Sequence, residues 1–155
     1  MKTMMSSEKT EYKTPKEFYE RLNKKYRFTF DPCPLNPKFD GLSGKEWGRR
    51  NFVFPPYGKE IHKWVIKALN QCSKGKLVVM LLPARTDTSY FHKYILRYAR
   101  EIWFIRGRLK FSDMKQGAPF PSMIVVFNNY PRGNKIPVKI RSVDTKLTGI
   151  RSRKK

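Results

Sequence analysis

At 155 residues the chain has room for one domain with a modest core. A composition of 39% apolar and 14% aromatic residues is too rich in Trp, Tyr and Phe for a disordered chain. Against 12 Asp and Glu stand 34 Lys and Arg; the formal net charge of +22 strains a compact fold unless a polyanion shares it, which points to nucleic acid ahead of an anionic membrane surface.

Residues 1–12 are polar and expected to be loose. Thr14-Pro15-Lys16-Glu17 then reads as a helix start, with Thr14 as N-cap, Pro15 in the first turn and Glu17 closing a capping box. Phe18, Leu22 and Tyr26 follow at helical spacing, and Phe28-Thr29-Phe30 reads as a short strand ended by Asp31-Pro32-Cys33-Pro34. Prolines and glycines make residues 34–50 a long turn-rich connection. Asn51 to Phe54 is a second strand, stopped by Pro55-Pro56-Tyr57-Gly58. Ile61, Trp64, Val65, Ala68, Leu69 and Cys72 share one helix face. The unbroken apolar run Leu77 to Leu82 predicts a strand covered on both sides. The loop Pro83 to Asp87 leads to a helix carrying Phe91, Tyr94, Ile95, Tyr98 and Ala99, with Asp87 or Thr88 as its cap. Ile102 to Ile105 and Met123 to Phe127 complete the strands. From Arg132 onward nine of 24 residues are Lys or Arg and only Asp144 is acidic, a pattern that predicts a basic arm.

Strand–helix alternation ending in two adjacent strands predicts an α/β fold of three layers with a mostly parallel sheet. The expected division is a flexible 1–12, a folded domain over 13–131 and the basic arm over 132–155. In such sheets the site lies outside the carboxyl ends of the strands. Three loops fall there: Asp31 to Pro34, Pro55 to Gly58 and Pro83 to Thr88. Cys33, Cys72, His62 and His92 are too few for a disulfide framework or a zinc site, so no metal is expected. No run reaches the length of a signal peptide or a membrane span, so the chain is expected to be cytoplasmic with no membrane partner.

The tetrapeptide Phe54-Pro55-Pro56-Tyr57 is a rigid turn in which two prolines remove two backbone donors and leave carbonyls facing outward, beside an aromatic plane. A flipped base needs such a corner, with acceptors for its exocyclic amine and a ring to stack on. The same tetrapeptide also occurs in ordinary loops. Around it, in order, stand Thr14-Pro15, Asp31-Pro32-Cys33, Asp40-Gly41-Leu42, Trp47, Trp64, Leu81 to Thr88, Phe104 to Phe111 and Ala118 to Ser122. From about Thr14 to Phe127 this ordered set resembles the phage-type DNA N6-adenine methyltransferase family.

The resemblance implies a minimal Rossmann-like class I methyltransferase sheet, S-adenosylmethionine as methyl donor, double-stranded DNA as partner, and a viral protein acting in a host cell. It places Thr14, Pro15 and Phe18 in the cofactor pocket, Asp31, Pro32 and Cys33 beside the methionine part of the cofactor, and Pro55, Pro56 and Tyr57 around the target adenine. Arg85, Arg106, Arg108 and Lys110 are the cations expected to neutralise phosphates. Two departures stand out. Family members place Asp, Asn or Ser before Pro-Pro-aromatic, where the side chain accepts an N6 hydrogen; Phe54 accepts nothing. Only about 20 residues separate Asp31 from the next strand, so the usual acid for the cofactor ribose is missing and Asp40 is its nearest substitute. The expected activity is direct methyl transfer to a flipped adenine. The alternatives are a catalytically silent nucleic-acid-binding module on the same fold, or transfer to cytosine N4 or to RNA.

Overall fold

The computed structural model of the chain describes residues 13–111, 116–128 and 137–151. Helix α1 (Lys16–Tyr26) buries Phe18, Leu22 and Tyr26 on one face. It stops at Arg27, whose left-handed backbone (φ 53°) returns its N–H to the Asn23 carbonyl at 2.7 Å. The capping box expected at Thr14 does not form: Pro15 takes the cap position and no side chain caps the helix. Glu17 instead sits in the first turn, where the helix dipole favours an acid, 3.5 Å from Arg21 one turn on.

The strand expected at Phe28 to Phe30 contracts to a single parallel bridge between Phe30 and Asn51. The cause is local: the Thr29 and Phe30 N–H groups both donate to the Arg50 carbonyl, at 2.7 and 3.2 Å, so the ladder does not advance. Beyond it runs a sheet of β1 (Arg50–Val53), β2 (Leu77–Pro83), β3 (Glu101–Arg106), β4 (Ser122–Phe127) and β5 (Lys139–Asp144), in the order β1-β2-β4-β3-β5. Pairs β1–β2 and β3–β5 are parallel, and β4 runs against both of its neighbours. Four of the five described strands therefore point one way, giving a mixed α/β fold. Every residue of β2 and β4 is buried, as their unbroken apolar runs require.

Helix α2 (Ile61–Cys72) turns Ile61, Trp64, Val65, Ala68 and Cys72 inward. The helix expected after residue 88 divides into a π-helical turn, Phe91–Ile95, and the short α3 (Leu96–Tyr98). Thr88 rather than Asp87 supports its start, accepting the Phe91 N–H at 3.4 Å while donating to the Arg85 carbonyl at 2.8 Å.

The C-terminal stretch differs most from expectation. In its described part, residues 137–151, the sequence read as a basic arm is an edge strand, paired with β3 from Lys139 to Asp144. Val143 and Leu147 are buried against the core. Charge on the other positions of an edge strand is the usual protection against stray pairing, which is why this strand looks like a tail. Residues 1–12, 132–136 and 152–155 of the expected divisions lie outside the described residues.

Candidate active site

Two of the three expected loops meet. A cavity of about 700 Å³ opens between the Asp31–Gly41 loop and the end of β1. Thr14, Asp31, Pro32, Cys33 and Asp40 line it, together with Phe54, Pro55 and Pro56. Trp64 of the ordered motif set lines it too, and Tyr19, Phe39 and Phe52 supply further aromatic wall that the sequence motifs did not single out. The size is that of a small-molecule site.

The long loop holds its shape through its own polar groups. Asp31 Oδ1 accepts the Cys33 N–H at 2.8 Å and Asp40 Oδ1 accepts the Leu42 N–H at 2.9 Å, two Asx turns that fix the corners. Between them Gly41 passes so close to the Pro32 carbonyl that a Cβ would overlap it, and would lie 2.9 Å from the Trp64 ring. The Gly41 carbonyl accepts the Trp47 indole N–H at 2.9 Å, and the Trp47 and Trp64 rings stack at 6.3 Å. Farther along, Glu46 bridges Lys74 and Lys76. Their ammonium groups hold its carboxyl down to about 2.

At the cavity rim Asp31 is exposed on one side and crowded by apolar wall on the other. Burial against that wall pushes its carboxyl up to about 6, opposed by the hydrogen bond from Cys33 N–H. The Tyr19 phenol beside it is also raised, by burial and then by the Asp31 charge. An acid in an apolar wall favours a cationic ligand, and the flat aromatic surfaces suit a heterocycle.

The second loop divides its residues between cavity and core. Phe54 and both prolines face the cavity, and Phe54 also packs on Phe111 at 5.2 Å and against the edge of Tyr57 at 5.6 Å. Tyr57 turns the other way: it is 1% exposed, its hydroxyl donates to the Leu81 carbonyl at 3.3 Å, and its ring meets Phe120 at 5.2 Å. Burial raises its phenol well above the ordinary value. Tyr57 is not among the residues lining the cavity, and the ring that lines it at this turn belongs to Phe54. No hydrogen bond reaches the Pro55 carbonyl among the described residues.

The other expected positions stand apart from the cavity. Phe18 packs into the core, 1% exposed, and its neighbour Tyr19 takes the wall position; Pro15 caps α1 outside the lining. The third loop, Pro83 to Thr88, lies behind Tyr57, close enough for the Arg85 charge to act on that phenol. Arg106, Arg108 and Lys110 are exposed in and after β3, where Arg108 donates to the Ala118 carbonyl at 3.2 Å. Among the described residues no group of His, Cys, Asp and Glu could hold a metal, and no helix is long and apolar enough to cross a membrane.

No curated protein matches the chain. Comparison with known families matches residues 2–149 to the family described as DNA N-6-adenine-methyltransferase (Dam). That span takes in both loops of the cavity, the tryptophans that brace it and every strand of the sheet, and the chain belongs to this family.

Proposed function

We propose that the chain transfers a methyl group from S-adenosylmethionine to N6 of an adenine flipped out of double-stranded DNA, on a minimal Rossmann-like, three-layer methyltransferase domain. One observation supports the reading: the Asp31-Pro32-Cys33 and Phe54-Pro55-Pro56 loops, on different elements, line a single cavity. The donor set fits the cofactor. It offers a carboxylate for a cationic group, aromatic wall for a purine, and Asp40 within reach of a ribose. When bound, the cofactor supplies an electrophilic methyl carbon on a sulfonium centre.

The chain's own part is positional. Asp31 holds positive charge at the cavity rim, and Thr14, Pro32 and Cys33 shape the pocket beside it. The Pro55 carbonyl accepts one hydrogen of the target amine, which turns the nitrogen lone pair toward the donor. Phe54 offers its ring to the base and leaves the second hydrogen without an acceptor. A missing hydrogen bond at a reacting centre costs on the order of 1–3 kcal/mol, or roughly tenfold to a hundredfold in rate. Aligned reactants in a site closed to water recover much of any barrier. Arg85, Arg106, Arg108 and Lys110 hold DNA phosphates in this reading.

A second reading, a catalytically silent nucleic-acid-binding module, is favoured by Phe54 at the acceptor position and by the enclosed Tyr57 ring. Calorimetric titration with S-adenosylmethionine and tritiated methyl incorporation into duplex DNA separate the two. Binding with incorporation supports the transferase, and binding without it moves the assignment to the silent module or to cytosine or RNA. No binding removes the cofactor assignment altogether.

A further inference from the structure

At the other end of the sheet lies a second cavity of about 500 Å³, where β1 and β2 begin and β4 ends. Lys25, Arg49 and Arg50 line it with Tyr26, Leu77 and Asn128. No acid is in its wall, and among the described residues none pairs with these three cations. The neighbouring Lys74 and Lys76, by contrast, are both paired with Glu46.

Uncharged groups hold these side chains in place. Arg50 Nε donates to the Arg27 carbonyl at 2.7 Å, an oxygen presented by the left-handed turn that ends α1. That contact fixes the guanidinium while leaving its terminal nitrogens for another acceptor. The Lys25 ammonium sits 5.5 Å above the Tyr26 ring. Arg49 is anchored through its backbone, whose carbonyl accepts the Leu77 N–H at 2.9 Å. The Tyr26 hydroxyl is buried without a hydrogen-bond partner, on a residue 8% exposed.

Cations gathered in one concavity without a counter-charge repel each other, and the repulsion is relieved by an anion. Planar guanidinium forks and an ammonium match the oxygens of a phosphate group. We infer that this cavity, through Lys25, Arg49 and Arg50, binds a phosphate group at the end of the sheet opposite the methyl-transfer cavity. Four residue steps along β1, roughly 13 Å, separate Arg50 from Phe54. The phosphate is either a diester of the nucleic-acid backbone or a free phosphate.

The test titrates isotope-labelled full-length protein with inorganic phosphate, and with chloride at matched ionic strength. Phosphate alone should give saturable shifts of the Gly75, Leu77 and Asn128 amides. The double variant Lys25→Gln/Arg49→Gln should lose them, while Lys59→Gln/Lys93→Gln, equal in charge and exposed elsewhere, should keep them; melting confirms that both fold. Binding to a non-specific duplex is then followed against salt. A backbone source lowers the slope for the cavity variant by about one to two relative to the control variant, at roughly 0.9 per phosphate contact. Equal slopes, with the phosphate shifts present in the wild type and lost from the cavity variant, assign a free phosphate. Wild-type shifts that the cavity variant keeps, or no saturable shifts together with equal slopes, would overturn the inference.

Discussion

The two loops that wall the larger cavity are built by opposite means. The Asp31–Gly41 loop is polar and largely solvent-facing, and holds its course through Asx turns and one glycine that slips under a carbonyl. The Phe54–Tyr57 turn is held from behind by aromatic packing among Tyr57, Phe111 and Phe120 and by the bond from the Tyr57 hydroxyl to the Leu81 carbonyl. Changes to the first loop should therefore act mainly on ligand binding, and changes to the second mainly on stability.

The largest effect should come from Tyr57→Ala. Removing a fully buried aromatic ring costs about 3–5 kcal/mol, so the melting temperature should fall by on the order of 10 °C. A variant that melts like the wild type would show that Tyr57 does not hold the turn. Gly41→Ala crosses the divide, because its Cβ presses the Pro32 carbonyl and Trp64 apart. It should lose about 1–3 kcal/mol of stability and also weaken cofactor binding measured by calorimetry. If stability drops and binding holds, the two properties separate within the first loop.

Phe54→Asn tests the turn as chemistry. Restoring an amide oxygen should raise tritiated methyl incorporation into duplex DNA by roughly tenfold or more, at a modest loss of stability from the half-buried ring. A fall in incorporation by a folded variant would mean that Phe54 belongs to a reorganised site. Asp31→Asn is the mildest in stability. Its carboxyl is raised to about 6 from an ordinary value near 4, so the charged form is the disfavoured one in the free protein. Any stability tied to this shift is present below pH 4 and is lost as pH rises through 6. A cationic cofactor reverses the preference, so wild-type affinity should tighten between pH 5 and 7. Asp31→Asn should bind about tenfold more weakly at pH 7 and lose the pH dependence, consistent with one charge-assisted contact. An unchanged pH profile would remove Asp31 from the cofactor site.

How much of this was legible in the sequence follows the same division. Asp31-Pro32-Cys33 and Asp40-Gly41 could be read directly, because their turns are made by neighbours in the chain. The apolar runs of β2 and β4 were equally plain. Tyr57 could not be read: a tetrapeptide does not say which way its aromatic points, and Phe120, which encloses it, comes 63 residues later. The exchange of Phe18 for Tyr19 has the same origin, since both rings are apolar and adjacent and only packing decides which one faces the core. β5 stayed hidden because, of its six residues, only Val143 is buried. Trp64, Phe39 and Phe52 lie on separate elements, and no spacing ties them to one wall.

The strand order has a consequence for how the protein is made. β4, which joins the β1–β2 pair to the β3–β5 pair, is the fourth strand to leave the ribosome. Until residues 122–127 emerge, β2 and β3 each lack the neighbour that β4 provides, and β5 follows later still. The nascent chain therefore cannot bank a finished half-sheet early, and closes late through contacts between distant segments. Chains that stop short of this strand should be sticky intermediates rather than smaller working enzymes.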